Sequence, residues 1–486
     1  MPPIISLTMI VRNEEADLPA CLESAADLVE DIVVVDTGST DATKTVARRF
    51  GARLIDFPWR DDFAAARNEA LKHATGDWVF WLDADDRLDE DNRTRFRALA
   101  RRLTDELAVW LFQCVNVSAG EGGAATSLEQ GRLFRRDPRV WWQYRVHEQI
   151  VPAIERLGGV THRGDVVVRH VGYTDPATRR AKLQRDLRLL TLDDAERPND
   201  PLTLFHLGWT QSQLGDAAAA VTALERCRQV APPNLAIVAR LHALLVRNLR
   251  QIGQPQAAFD ACQRALPQFP DHAELLFHQG QLLTQARRFA DAEASLVRLL
   301  GLAESPGMAM GEDPGLRGYK GRCALAEVYR DAGRADDAER QWQLALAEQP
   351  GYLVPAICLS DLYAAQGRWE AAEHLAERLA EQGRAADALL LRARAQMTRG
   401  DFAEARRLAE AAVALAPAEP MPREILSHVL VLEGRDWPAA QRAVREVLLR
   451  QPSNATALSN LAVVERQLAA ARPPQPPEWG GSIIVG

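Results

Sequence analysis

Four short segments in the first hundred residues carry side chains whose types and spacing could do chemistry. An apolar run, Trp78-Val-Phe-Trp-Leu82, opens directly into Asp83-Ala84-Asp85-Asp86. Two carboxylates two residues apart can reach one hard cation, and magnesium or manganese takes oxygen ligands while keeping positions for phosphate oxygens. Such a cation would offset charge developing on a diphosphate leaving group. The same residues also suit a solvated acidic loop in which Asp86 or Asp89 caps the next helix. Asp36 ends a second apolar run, Ile32–Asp36, where its carboxylate could accept a base N–H or a ribose hydroxyl. The following Gly38-Ser-Thr40-Asp41 is accounted for by a strand-to-helix turn with its caps, which leaves Asp36 unexplained. Arg12-Asn13-Glu14-Glu15 follows a third apolar run, and Arg67 lies in Ala66-Arg67-Asn68-Glu69-Ala70. Arg67 could reach a nucleotide base or phosphates, although a surface helix charge is the simpler account of one such residue.

These residues need elements to hold them. Apolar runs over Ile4–Val11, Ile32–Val35, Arg53–Ile55, Trp78–Leu82, Val109–Val115 and Val166–His170 predict strands. Leu18–Ala26, Asp41–Phe50 and Phe63–Ala74 carry helical spacing between them, with Gly51 placed to end the second helix. Alternation of this kind predicts a parallel α/β sheet with ligands outside the carboxyl ends of its strands. The chain of 486 residues is too long for one core. Its 47% hydrophobic and 26% charged content excludes a mainly disordered or membrane-embedded chain. The net charge of -8 speaks against a nucleic-acid partner. Six scattered cysteines without a CxxC pair predict buried thiols in a reducing compartment. Ile4–Val11 has no basic leader and no run reaches the ~20 residues of a bilayer span, so the expectation is a cytoplasmic protein without a membrane span.

From Pro198 onward the pattern is helical and repeats. Turn positions Gly215, Gly253, Arg287, Gly333, Gly367, Gly400 and Gly434 recur, and five residues after each sits an alanine: Ala220, Ala258, Ala292, Ala338, Ala372, Ala405 and Ala439. Pro232, Pro270, Pro350 and Pro417 follow seventeen residues after their turns, with Pro452 one residue late. A ~34-residue period with a small residue at the helix crossing is the tetratricopeptide pattern, in which stacked hairpins form a solenoid. The expected domains are 1–195 as an α/β domain and 198–470 as about seven repeats with an insertion near 301–321. Residues 471–486 form a Pro-rich tail.

Taken together, Leu7-Thr-Met-Ile-Val-Arg-Asn-Glu-Glu15, Val35-Asp36-Thr-Gly-Ser-Thr-Asp41, Ala66-Arg67-Asn68-Glu-Ala70 and Leu82-Asp83-Ala-Asp85-Asp86 resemble the family two inverting glycosyltransferases of the GT-A, Rossmann-like fold. The resemblance is close over 4–95 and looser to about 190. It implies a nucleotide-diphospho-sugar donor, a UDP-sugar first among them, and a divalent cation, Mn or Mg. It implies donor contacts from Arg12, Asn13, Glu14, Asp36, Arg67 and Asp83, and metal ligation by Asp83 and Asp85, with His170 as a late histidine ligand. Arg132-Leu-Phe-Arg-Arg136, Tyr144-Arg-Val-His147-Glu148-Gln-Ile150 and Val168-Arg-His170-Val-Gly172-Tyr173 resemble the subset that includes lipopolysaccharide-core glucosyltransferases and tetratricopeptide-fused transferases. The resemblance places Glu148 as the base that deprotonates the acceptor and His147 as a substrate-positioning residue, where many relatives carry Glu-Asp instead. Similar fusions include peptide S-glycosyltransferases of the sublancin type, which implies that the repeats recruit an acceptor peptide, protein or glycan, or a partner; homo-oligomers stay open. The competing expectation is an interaction scaffold whose first domain binds a nucleotide sugar without turnover. Trp141-Trp142 and Tyr144 suit either a sugar ring or packing, and Arg179, Arg180, Lys182 and Arg185 read as a solvated helix face.

Overall fold

The computed structural model describes residues 3–116, 126–172, 176–302, 313–451 and 454–470. Eight strands make one sheet: β1 (Ile5–Val11), β2 (Asp31–Asp36), β3 (Arg53–Asp56), β4 (Trp78–Trp81), β5 (Asp86–Arg87), β6 (Ala108–Asn116), β7 (Thr126–Arg135) and β8 (Val160–His170). Their order is β3-β2-β1-β4-β7-β6-β8-β5. The sheet is mixed, which corrects the expectation of parallel strands. β3, β2, β1 and β4 run parallel, whereas β7 is antiparallel to both β4 and β6, and β5 is antiparallel to β8. β7 was hidden in the sequence because Gly131 and charged residues break its apolar pattern. A Cβ at Gly131 would lie 2.9 Å from the side chains of Val109 and Val151, so the strand gives up a side chain there for close packing.

Helices α1 (Leu18–Ala25), α2 (Thr43–Arg49), α3 (Phe63–His73), α4 (Glu90–Ala100) and α5 (Val151–Glu155) flank the sheet. β2 shows how both faces are covered: Val34 packs into the cluster that includes α1, while Val33 and Val35 pack on Ala66 and Ala70 of α3. Burial on both faces explains why these strands read as unbroken apolar runs rather than alternating ones. Gly76 has no alternative, since a Cβ there would lie 2.6 Å from the Ser6 backbone nitrogen.

The chain divides into two compact units, Met1–Gln285 with Gly301–Leu316, and Ala286–Leu300 with Arg317–Gly486. The first unit contains the sheet and helices α6 (Pro176–Glu196), α7 (Pro201–Leu214), α8 (Ala217–Val230), α9 (Val238–Gln251), α10 (Pro255–Ala265) and α11 (Ala273–Gln285). The second contains the helices from Phe289–Leu300 through Ala455–Ala470. All seven expected turn positions have a positive φ, from 56° at Arg287 to 89° at Gly215. That is the left-handed backbone a helix C-terminus favours. Ala220, Ala258, Ala292, Ala338 and Ala405 are fully buried. Helices end two residues before Pro232, Pro350 and Pro417. In the second unit one device recurs: Tyr329 donates to Glu293 (2.9 Å) under Arg334, and Tyr363 donates to Glu339 (2.9 Å) under Arg368. Pro452, Tyr173, the core of the 301–321 insertion and the tail lie outside the described residues.

Candidate active site

β4 ends at Trp81, and the chain turns through Leu82–Asp85 into β5, which pairs Asp86 with His170 at the end of β8. The turn gathers three carboxylates and an imidazole. Ligand atoms of Asp83, Asp85, Asp86 and His170 all lie within 4.8 Å of one another. His170 Nε2 is 3.3 Å from Asp85 Oδ2, and its Nδ1 is 3.0 Å from Asp86 Oδ1. Asp86 is fully buried and accepts from Arg132 (2.7 Å) and from the Asp83 amide (2.8 Å). Burial alone would raise its carboxyl, but Arg132, His170 and that amide hold it below the ordinary carboxylate range. Asp85 is shifted the other way. Burial raises its carboxyl, and the like charges of Asp83 and Asp86 add to the rise against the pull of His170. The hydrogen bond to Asp86 holds the His170 ring above its ordinary value, with Asp85 adding to the rise against burial.

This donor set suits a divalent cation, since charge crowded at Asp85 asks for one and oxygens predominate. Space is kept as well. A Cβ at Gly172 would sit 2.9 Å from His170 Nε2 and 3.8 Å from Asp85 Oδ2. Glu14, after β1, senses the same charge: burial, then Asp85, Asp17 and Asp83, raise its carboxyl to about 7, with Lys182 of α6 opposing.

Arg67 projects from α3, whose N-terminus is capped by Asp62 accepting from the Ala65 amide (2.8 Å). The guanidinium is buried, 4.1 Å from the Trp81 ring and 5.3 Å from the Trp142 ring. It donates to Asp83 Oδ1 (2.9 Å) and to Glu148 Oε1 (2.6 Å). One cation, 81 residues before Glu148 in sequence, therefore ties a residue of the Asp-x-Asp turn to the expected base. Trp81 is packed on its other side by Arg132, 3.8 Å away. Trp142 is buried among Trp81, Phe134 and Arg67, while Trp141 is exposed; packing accounts for Trp142.

At the end of β2 the Asp36 side chain is buried. Its Oδ1 accepts from the Gly38 and Ser39 amides (both 2.9 Å), and its buried Oδ2 has no hydrogen-bond partner. Burial works against ionisation, yet these donors and Lys44 lower its carboxyl. Asn13 has φ 56° and accepts from the Thr40 amide (2.8 Å), tying the loop after β1 to the turn after β2. Arg12 is exposed.

The loop that carries Glu148 is held from two sides. Tyr144 and His147 adopt positive φ, 74° and 56°. The Arg145 amide donates to Asp193 of α6 (2.9 Å), its carbonyl accepts from the Phe63 amide (2.8 Å), and Tyr144 hydroxyl meets Asp200, the cap of α7 (3.2 Å). The His147 ring stacks on His206 of α7 at 4.0 Å and meets Trp209 edge-on. Its Nε2 is buried without a hydrogen-bond partner. Thus Glu148 faces Arg67 and His147 faces the first repeat hairpin. Arg179, Arg180, Lys182 and Arg185 are exposed, as expected.

The structure brings Asp83, Asp85, Arg67, Glu148 and His170 together. Sequence reasoning gave no role to Arg132, Trp81, Asp193 or His206. Asp86 carried a signal, as the third carboxylate of the turn, but it serves a different purpose from the cap that was offered for it or for Asp89. Asp89 is the cap of α4, accepting from the Asn92 amide (3.0 Å).

Comparison with known proteins defines the class. Residues 6–152 match the model for Glycosyl transferase family 2, and 203–234, 243–309, 359–420 and 430–471 match tetratricopeptide repeat models. The chain carries a family 2 glycosyl transferase domain followed by tetratricopeptide repeats. Among its relatives, a TPR repeat-containing protein of Synechococcus elongatus is 34% identical over 269 residues, 54% of this chain and 66% of that one. The SPbeta prophage-derived glycosyltransferase SunS of Bacillus subtilis is 27% identical over 216 residues, 42% of this chain and 49% of that one. The lipopolysaccharide core biosynthesis glycosyltransferase LpsC of Rhizobium meliloti is 33% identical over 157 residues, 30% of this chain and 57% of that one. The chain spans between about half and two thirds of the length of these curated relatives. Among the described residues no helix is long and apolar enough to cross a membrane.

Proposed function

We propose that this chain is a cytoplasmic, metal-dependent, inverting glycosyltransferase that moves a sugar from a nucleotide-diphospho-sugar, a UDP-sugar first among candidates, to an acceptor hydroxyl or thiol. The observation that carries the reading is the Arg67 bridge, which holds Glu148 and Asp83 on one guanidinium beside a cation-ready cluster. Asp83, Asp85 and His170 would hold Mn or Mg, which when bound screens the charge of a departing diphosphate. Asp86 would be no ligand. Clamped by Arg132, it orients His170 through Nδ1 and leaves Nε2 for the ion. The unpartnered oxygen of Asp36 is available to a donor N–H or hydroxyl of the nucleoside, alongside Arg12, Asn13 and Glu14. Glu148, steadied by Arg67, takes the proton of the acceptor O–H or S–H as its oxygen or sulfur attacks the anomeric carbon. The bond from that carbon to the diphosphate breaks on the opposite face, which inverts the centre. His147 fixes the loop in register rather than touching substrate.

The test is incubation with manganese and a panel of nucleotide sugars, measuring donor binding and hydrolysis. Asp85→Ala should remove metal-dependent turnover, and Glu148→Gln should keep donor binding while losing transfer to acceptor. A protein that binds no donor, and is indifferent to Asp85→Ala, is instead an interaction scaffold.

A further inference from the structure

Gln143 and Gln149 exchange both backbone hydrogen bonds (3.1 and 3.0 Å), so the residues between them form a closed loop. Each side chain of that loop has its own seat. The Tyr144 ring carries the Arg197 guanidinium at 4.3 Å, and its hydroxyl meets Asp200. Arg145 reaches Glu196 of α6. Val146 is buried in an apolar cluster with Leu189 of α6 and Leu204 of α7. His147 lies flat on His206 of α7, with 4.0 Å between ring centres and 14° between planes. Glu148 turns back to Arg67 of α3.

One of these seats is tied by no polar contact although its side chains can carry charge. Among the described residues neither imidazole makes a hydrogen bond or ion pair, and His147 Nε2 is buried. The charged groups that face His147 are Asp186 and Arg185 of α6 and Glu148 of its own loop. Arg185 is bonded to Asp186 (2.8 Å) and Glu148 is taken by Arg67, so none of them is free to receive an imidazolium. His206 faces one titratable group, His147 itself. A proton on either ring therefore enters a buried stack with no acceptor for its N–H, and a second would set like charges 4.0 Å apart. Burial holds His147 below its ordinary range, with Asp186 and Glu148 pulling it up and Arg185 pushing it down; burial and repulsion from His147 hold His206 lower still.

The stack also holds a backbone. His147 has φ 56°, a left-handed conformation that is unfavourable for a residue with a Cβ and persists where packing over-determines it. The Gln149 side-chain amide, which donates to the His147 carbonyl (3.1 Å), is the other tie on that turn. Glu148 is the next residue, so the conformation of His147 sets where its carboxylate goes. We propose that the His147–His206 stack is an acid-released latch on Glu148: when the pair takes up protons the rings part, His147 leaves the left-handed conformation, and Glu148 moves off Arg67. The sheet, the cation cluster and the Asp36 turn are built from other contacts and stay formed. The inference rests on the transferase reading for its consequence, loss of the base while the donor pocket survives; the opening of the loop stands without it.

The experiment is hydrogen exchange of the full chain, without donor or metal, read by mass spectrometry on a peptide spanning 143–149 and corrected for the intrinsic pH dependence of exchange. If the rings take up protons only once parted, a step from pH 6.5 to 5.5 should raise the opening of this loop about thirtyfold with two rings and about fivefold with one. The wild type should show the larger rise, His206→Phe the smaller, and His147→Phe with His206→Phe none. Peptides from β1, β2 and β4 should stay protected throughout. Circular dichroism establishes that each variant is folded; the size of the wild-type rise and its confinement to the loop are measured without any variant. No rise in the wild type, an equal rise in folded His206→Phe, or a parallel rise across the strands would overturn the proposal. Binding of the nucleotide sugars with manganese at pH 7.5 decides the transferase reading separately: a loop that opens in acid without donor binding refutes that reading alone, and donor binding by a chain whose loop ignores pH refutes this one alone.

Discussion

Replacing Arg67 with methionine keeps most of the side chain's length and removes its charge. The guanidinium is buried and makes hydrogen bonds of 2.9 Å to Asp83 and 2.6 Å to Glu148. Removing one partner of a buried ion pair costs about 3–5 kcal/mol, because the remaining charge stays uncompensated. Here the Glu148 side chain is 12% exposed but that of Asp83 is 36% exposed, so solvent recovers part of the loss on one side. The expected cost is at the lower end, about 3 kcal/mol. The assay is denaturant unfolding of the full chain followed by tryptophan fluorescence, since Trp81 and Trp142 flank the guanidinium. The transition that contains those tryptophans is the one to analyse, because a chain with two compact units need not unfold in one step. Glu148→Gln on top of Arg67→Met should recover stability, as it removes the charge left stranded, with a coupling energy of about 1–2 kcal/mol. If Arg67→Met costs less than ~1 kcal/mol, or if the two changes simply add, then Arg67 is not the tie between the two halves of the site.

Three further outcomes follow from particular contacts. Gly172→Ala places a methyl 2.9 Å from His170 Nε2, so isothermal titration should show manganese binding weakened at least tenfold; unchanged affinity would exclude His170 as a ligand. The His147–His206 stack predicts a pH dependence. Burial holds His147 below its ordinary value, and burial with repulsion from His147 holds His206 well below it. The native chain then stays neutral where the unfolded chain takes up protons, so this stability is present above about pH 6.5 and drains as pH falls, by about 1.4 kcal/mol per pH unit for each ring. Relative to the wild type, His206→Phe should gain stability between pH 7.5 and 5.5 in urea titrations, and a pH-independent difference would refute it. In the second unit, Tyr363→Phe removes the hydrogen bond to Glu339 and should cost about 1 kcal/mol in a thermal melt; no measurable loss would make the recurring Tyr–Glu–Arg arrangement incidental.

How far the sequence was legible depended on whether a residue's role was local. Strands β1, β2 and β4 were readable because burial on both faces leaves continuous apolar runs, and the turn glycines because left-handed backbone selects them at a fixed period. Asp36, Asp83 and Asp85 were readable as carboxylates at strand ends. β7 was not, since Gly131 serves packing against Val109 and Val151 rather than the strand's own pattern. Arg132 was quoted without a role because nothing local shows that its partner is Asp86, 46 residues away.

The Glu148 loop shows most plainly why the remainder was hidden. In sequence, His147-Glu148 is a pair of adjacent polar residues that invites a shared catalytic role. In the structure the two side chains belong to different environments. The positive φ of His147 turns its ring onto His206 while Glu148 reaches Arg67. The loop's amide at Arg145 is satisfied by Asp193 and its carbonyl by the Phe63 amide, so α6 and α3 together fix where Glu148 stands. A transferase domain cut after β8 would lose Asp193, Asp200 and His206 at once. The helices that follow the sheet are thus part of the candidate site's own framework, and a truncation that spares every expected donor contact should still displace Glu148.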